Sequence, residues 1–228
     1  MFKSEYFGVI SIQLWEWLLA LFYILLIFIT AQAVRSRKIE DKPYYKYYVR
    51  ALMLKIGGGI ALCLVYMYYY HGGDTTSYYE TSLAISNLFS KDIYLSLGML
   101  FGDNTEANFV LFNQSTGYPL RYIYFDDQAF AVVRLTTPLL LFSLKSFLIE
   151  NILVAWISFF GLWRLYQLFC HYYPSLYKQL AWGILFFPSV IFWGSGLLKD
   201  TITLTAACWY MYSVFRLFLV PKKRLTYA

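Results

Sequence analysis

Residues 51–80 read ALMLKIGGGIALCLVYMYYYHGGDTTSYYE, and the rest of the chain can be interpreted outward from this stretch. Its first part is an apolar run of about 20 residues, the length that crosses the hydrocarbon of a bilayer as a helix. The run ends in Tyr68, Tyr69 and Tyr70, and aromatic rings of this kind favour the membrane interface. Two glycines and a carboxylate follow, so the stretch predicts a transmembrane helix that ends in a sharp polar turn.

The composition is that of an integral membrane protein. The chain has 228 residues, of which 60% are hydrophobic and 14% charged, with a mean hydropathy of +0.51. These values exclude an ordinary soluble domain. The net charge of +6 arises mainly in short segments beside apolar runs, which indicates membrane topology and argues against a nucleic-acid partner. The cysteines Cys63, Cys170 and Cys208 have no paired spacing, so they predict neither a disulfide framework nor a zinc site.

Further apolar runs predict an all-α, polytopic helical bundle that forms one transmembrane domain over residues 1–228. Five spans are expected, at residues 15–34, 51–70, 148–169, 180–198 and 201–220, with a kink at Pro188 in the fourth. Residues 130–147 are a sixth candidate, left open because Arg134, Pro138 and Lys145 interrupt the apolar pattern. The prediction is therefore a bundle of five or six spans.

Charge bias predicts the orientation. The segment after the first run is rich in Lys and Arg, so we expect it in the cytoplasm. Residues 71–129 carry mostly acidic charge and are longer than a plain connector, so we expect an external loop with interfacial helices. Ser77 and Glu80 have the spacing of a capping box, which predicts a helix from Ser77 to about Phe89. The charge bias thus predicts a multi-pass arrangement with this loop facing the exterior; the family resemblance described below implies that the membrane is the inner membrane of a bacterium and the exterior its periplasm.

Four polar residues of the predicted loop are candidates for chemistry. Asp74 is suited to act as a general base toward a hydroxyl or as an oxygen ligand of a cation, although it can also simply cap the following helix. His71 is placed to assist proton transfer, to ligate a metal or to bind substrate, or simply to lie at the interface. Asp126 and Asp127 form an adjacent pair that suits a cation, although acidic turns are also common on exposed loops that bind nothing. A divalent cation is the one cofactor that these carboxylates suggest.

Basic residues supply candidate phosphate ligands. Lys199 and Asp200 follow the turn at residues 194–196, where a cation can meet a lipid phosphate, or where the two residues can form an interfacial ion pair. Arg121 and Arg134 are weaker candidates for the same phosphate, because each can instead anchor its segment at the headgroups. If residues 130–147 do not cross the membrane, Lys199 and Asp74 fall on the same side.

Three stretches together resemble the GT-C superfamily of bacterial membrane glycosyltransferases, which use polyprenyl-phosphate-linked sugars. They are HGGDTTSYY at residues 71–79, RLTTP at 134–138 and FPSVIFWGSGLLKD at 187–200. Exopolysaccharide polymerase-like proteins share the arrangement of early spans and an acidic external loop. Members of the superfamily commonly have many more spans, so the resemblance leads us to expect that this chain is an N-terminal portion of a longer protein.

The resemblance implies an inverting transfer in which Asp74 is the base, while Lys199 with Arg121 or Arg134 opposes the charge of the leaving phosphate. The implied partners are a polyprenyl-phosphate-linked sugar, the lipid bilayer and other membrane proteins of envelope biosynthesis. The acceptor would be an envelope glycan, lipid or protein. The alternative is a non-enzymatic lipid-carrier or transport component of a polysaccharide export or polymerisation system, which would bind the same phosphate without breaking a bond.

Overall fold

The computed structural model describes residues 11–218, which are helical with no β-strand among them. Residues 219 and 220 of the predicted last span lie outside the described residues. The helices, in chain order, are α1 (Leu14–Lys38), α2 (Tyr48–Tyr68), α3 (Asp74–Phe89), α4 (Ile93–Leu100), α5 (Glu106–Phe109), α6 (Arg121–Tyr124), α7 (Asp127–Thr136), α8 (Leu139–Phe142), α9 (Phe147–Tyr172), α10 (Tyr177–Leu180), α11 (Pro188–Phe192) and α12 (Lys199–Phe218).

Three of the described helical segments are long and apolar enough to cross a membrane: Leu14–Lys38, Pro43–Tyr68 and Phe147–Tyr172. The second consists of a 3-10 turn over Pro43–Tyr47 followed by α2. These segments contain or nearly coincide with the predicted spans at residues 15–34, 51–70 and 148–169. The all-helical class is therefore confirmed, and the three apolar helices fit a membrane protein, whereas the total of five or six spans and the external loop stay predictions.

The central helix is α9, which packs against α1, α2 and α12. Its side chains Phe147, Phe159 and Tyr166 are almost fully buried. By contrast, α1 leaves Leu18, Phe22 and other large apolar side chains exposed, as expected of a helix that faces lipid. The bundle thus has a buried interior around α9 and an exposed apolar surface on α1 that suits the bilayer.

Glycines on α2 allow very close approach of neighbouring backbone. A β-carbon on Gly58 would lie 1.8 Å from the carbonyl oxygen of Ile191, and one on Gly59 would lie 3.0 Å from that of Ser195. Small residues at helix contacts are typical of membrane bundles, because they let backbones pack directly. The turn at residues 193–198 is therefore packed against the middle of α2.

The predicted span at residues 180–198 is not one continuous helix. It contains a π-helical turn over Ala181–Leu185, the short helix α11 and the turn before α12. The break falls before Pro188, where the sequence predicts a kink: Phe187 is extended, since proline disfavours the helical conformation of the preceding residue. The ambiguous residues 130–147 likewise divide into the end of α7, the short α8 and the start of α9, with positive φ at Leu144 and Lys145.

A buried polar layer holds the turn at residues 193–198 in place. We define this layer as Lys55 of α2, Asn151 of α9 and the turn groups that they contact. The Lys55 Nζ donates to the carbonyl of Gly194 and to Ser195 Oγ, and the Leu197 amide donates to Asn151 Oδ1 at 3.0 Å. Because Lys55 and Asn151 belong to two different long helices, the layer fixes the turn to both.

Candidate functional site

The chain reverses between α2 and α3 through a turn that requires glycine. His71, Gly72 and Gly73 all have positive φ, at 54°, 136° and 127°. The Gly72 amide donates to the Tyr66 carbonyl at 2.9 Å, and a β-carbon on Gly73 would lie 2.9 Å from Tyr66 Cε1. Substitution of Gly73 would therefore strain the backbone and clash. The turn places Asp74 at the first position of α3.

Asp74 is exposed, and it opens a helix whose N-cap residue, Gly73, has no side chain. A carboxylate in the first turn interacts favourably with the helix dipole. The hydroxyls of Thr76 and Ser77 donate to the Gly73 carbonyl at 2.7 and 2.9 Å. The predicted capping box of Ser77 and Glu80 is therefore wrong: the glycine turn starts the helix three residues earlier, and Ser77 lies inside it.

The start of α7 meets the start of α12. Asp126 is the N-cap residue of α7 and accepts hydrogen bonds from the amides of Gln128 and Ala129 at 2.8 and 3.1 Å. Lys199, the first residue of α12, brings its Nζ to 3.5 Å from Asp126 Oδ2. The amide of Ala129, with that of Gln128 and the Lys199 charge, lowers the pKa of Asp126. Asp126 therefore stays ionised and pairs with a half-exposed cation.

The start of α3 lies close to the same place. Tyr78, one turn after Asp74, is almost fully buried, and burial raises the pKa of its phenol, with further contributions from the charges of Asp74, Asp126 and Asp200. Three helix starts that are distant in sequence thus act on one phenol. We call Asp74, Tyr78, Asp126, Lys199 and Asp200 the helix-start cluster. It brings three exposed carboxylates, those of Asp74, Asp126 and Asp200, and the half-exposed side chain of Lys199 to the starts of three helices.

An apolar groove is lined in part by the residues of α12 that follow the cluster. It has a volume of about 280 Å³ and lies between α7, α8, α9 and α12. Thr201 and Ile202, which directly follow Lys199 and Asp200, line one side of it, and apolar residues such as Leu139 and Ile157 line the other. A molecule with a charged head at Lys199 would therefore find hydrocarbon-compatible surface next to it.

The other predicted residues have different surroundings. Arg121 forms an ion pair with Glu106, and its guanidinium stacks on Phe109 and Phe125. Arg134 donates from Nη2 to Asn104 Oδ1 at 3.0 Å. These contacts do not bring either arginine into the helix-start cluster.

His71 and Asp127 are both exposed. His71 lies in the turn before α3, and Asp127 is the first residue of α7. Within residues 11–218, no three His, Cys, Asp or Glu side chains are grouped closely enough to hold a metal ion. Asp74, Asp126 and Asp127 thus do not form an assembled metal site, and a divalent cation stays a prediction.

The sequence analysis did not single out Tyr78, which belongs to the site, or the burial of Glu80, which lies on the same helix outside the cluster. Tyr78 lies one turn after Asp74, and this i, i+4 spacing could have identified it as a neighbour of the carboxylate. Glu80 is partly buried, and burial raises the pKa of its carboxyl to about 7. No local sequence pattern predicts this burial, because it depends on how α3 packs in the folded chain.

The chain matches no protein-family model, no curated protein and no solved structure.

Proposed function

We propose that this protein is a membrane glycosyltransferase that moves a sugar from a polyprenyl-phosphate-linked donor to a hydroxyl of an envelope glycan, lipid or protein. The observation that carries the proposal is the helix-start cluster: Asp74 and Asp126 both act on Tyr78, and Asp126 pairs with Lys199. Two residues after Lys199, α12 begins to line the apolar groove. In this proposal the cluster faces the periplasm or exterior and the long helices cross the bacterial inner membrane.

Asp74 is the residue best suited to be the base. Asp126 is committed to capping α7 and to Lys199, whereas Asp74 is exposed and follows a glycine cap. In the proposed reaction, the Asp74 carboxylate accepts the proton of the acceptor hydroxyl while the hydroxyl oxygen forms a bond to the anomeric carbon. The bond from that carbon to the phosphate oxygen breaks, and polyprenyl phosphate leaves with the electron pair. The anomeric configuration is inverted.

Lys199 is the proposed phosphate ligand. Its ammonium group is half-exposed and is positioned by the first turn of α12 and by the pairing with Asp126. A fixed positive charge next to the departing phosphate would stabilise the charge that develops there. The first isoprene units would lie in the groove beyond Thr201 and Ile202, whose walls are mostly apolar. In this arrangement Lys199 would bind the charged head, and the groove lined by Thr201 and Ile202 would hold the apolar tail.

The direct test is Asp74→Asn in the full chain in proteoliposomes, supplied with short polyprenyl-phosphate hexoses and membrane extract as acceptor. We expect transfer to fall about 100- to 10,000-fold, the range for loss of a general base. Asp127→Asn is the matched control, because Asp127 is also an exposed first residue of a helix, and it should transfer like the parent.

An Asp74→Asn variant that transfers as fast as the parent would overturn the assignment of the base. A parent that binds the prenyl phosphate but shows no turnover with any sugar donor would favour the lipid-carrier or transport function instead. Prenyl-phosphate binding is measured in the same vesicles. This measurement distinguishes a protein that binds the lipid without turnover from one that has lost turnover because it no longer binds.

A further inference from the structure

A second cavity lies on the other side of α7, between α3, α4, α7 and α8. Its volume is about 390 Å³, within the range of pockets for small ligands. Most of its wall is hydrocarbon, including Phe89, Leu97, Leu100 and Phe101. Phe101 and Leu97 are exposed at the rim, so the cavity opens onto an apolar surface. Such a lining suits an alkyl chain.

Two polar groups in this wall lack partners. Ser86 is 4% exposed, and its Oγ is buried without a hydrogen bond, as is Arg134 Nε. Both residues line the cavity. A buried polar group without a partner costs about 1–3 kcal/mol, so each of these two donors favours a ligand that supplies an acceptor. An anionic oxygen would satisfy both.

The charge of Arg134 is also uncompensated. The two ion pairs found within residues 11–218 are Arg121 with Glu106 and Lys199 with Asp126. Arg134 instead bonds to the neutral amide of Asn104 and stacks on Phe130. A guanidinium without a carboxylate partner, next to an apolar cavity, is suited to a phosphate that carries a hydrocarbon chain.

We propose that this cavity binds one anionic lipid from the bilayer, with its phosphate at Arg134 and Ser86 and an alkyl chain against Phe89, Leu97 and Leu100. The site is distinct from the helix-start cluster. Arg134 and Asp126 are near opposite ends of α7, about 12 Å apart along the helix at 1.5 Å per residue. The proposal does not depend on glycosyl transfer.

The test uses the purified full chain in detergent, with native mass spectrometry to count bound lipid. Lysophosphatidic acid is the anionic probe, and a monoacylglycerol with the same chain is the neutral probe. The parent should bind one lysophosphatidic acid at least about tenfold more tightly than the neutral probe, and Arg134→Gln should lose about that factor for the anionic probe alone. Leu97→Trp, which fills the rim, should weaken binding of both probes.

Arg121→Gln is the matched control, since Arg121 is an exposed arginine paired with Glu106 outside the cavity, and it should bind like the parent. Arg134→Lys keeps the charge and should retain most of the binding. Should Arg134→Gln fail to fold, this variant and Leu97→Trp carry the test. Equal binding of the two probes, equal loss in Arg121→Gln and Arg134→Gln, or binding unchanged in Leu97→Trp would overturn the proposal. Displacement by millimolar inorganic phosphate would also overturn it, because the site would then recognise the phosphate without the chain.

Discussion

The helix-start cluster and the buried polar layer each contain a lysine, and the two lysines have opposite surroundings. Lys199 is half-exposed and pairs with the carboxylate of Asp126, whereas Lys55 is 2% exposed and bonds to a carbonyl and a hydroxyl of the turn at residues 193–198. The turn lies between them: Lys55 holds one end and Lys199 follows the other. The difference teaches that burial, and not residue type, separates a group that maintains the fold from one that is available to a ligand.

Replacement of Lys199 should give the largest effect that separates the two regions. Lys199→Met removes the proposed phosphate ligand and should slow transfer about 100-fold, with little change in the thermal unfolding temperature. Transfer rates and unfolding curves of the same preparation provide the measurement. Lys199→Arg keeps the charge and should be much closer to the parent, so a similar loss in both variants would contradict an electrostatic role.

Replacement of Lys55 should give the reverse result. Lys55→Met leaves the Gly194 carbonyl and the Ser195 hydroxyl without their buried donor, and we expect the free energy of unfolding to fall by about 2 kcal/mol. Ser195→Ala removes only the weaker of the two contacts and should cost less. Denaturant titration in detergent measures both. A Lys55→Met variant with parental stability but no transfer would place Lys55 in the chemistry and break the comparison.

A smaller effect is expected from Glu80, which lies on the same helix as Asp74 but is partly buried. Burial raises the pKa of its carboxyl in the folded protein to about 7 from an ordinary value of 4.5. The folded state therefore holds the proton more tightly than the unfolded state. Stability from this group is complete below about pH 4.5 and is lost as the pH rises through about 7.

Glu80→Gln should abolish this pH dependence and be more stable than the parent at pH 8. We expect a difference of about 1 kcal/mol, because partial exposure screens much of the penalty. Thermal unfolding between pH 4.5 and 8 provides the measurement. Glu40→Gln alters an exposed carboxyl and should follow the parent at every pH. If the parent and Glu80→Gln showed the same dependence of stability on pH, Glu80 would ionise equally in the folded and unfolded states, and the prediction would be wrong.

The long apolar helices could be predicted from the sequence because hydrophobicity alone defines them. The expected spans at residues 51–70 and 148–169 agree with Tyr48–Tyr68 and Phe147–Tyr172 to within three residues at each end. The run at residues 180–198 is equally apolar, yet it is interrupted. Composition gives the length of an apolar segment. Pro188 and the glycines of the following turn determine where the helical hydrogen bonding of its backbone is interrupted.

The site was predicted less completely, for a different reason. Asp74 and Lys199 stand out in sequence because each follows a glycine-containing turn next to an apolar run. The meeting of Asp74, Asp126 and Asp200 around Tyr78, and the separate surroundings of Arg134, depend on contacts between segments that are far apart in the chain. Local patterns identify charged residues at the end of an apolar run, but they do not show which of these charges face each other.

The ion pair between Lys199 and Asp126 also has a consequence for biosynthesis. Asp74 and Asp126 are translated well before Lys199, so the early helices reach the membrane without the cation that completes the cluster. Only when α12 has been made and has packed against α9 can the site assemble. During synthesis, the early part of the chain would therefore lack the proposed phosphate ligand. The cluster would be complete only after α12, the last described helix, has been made.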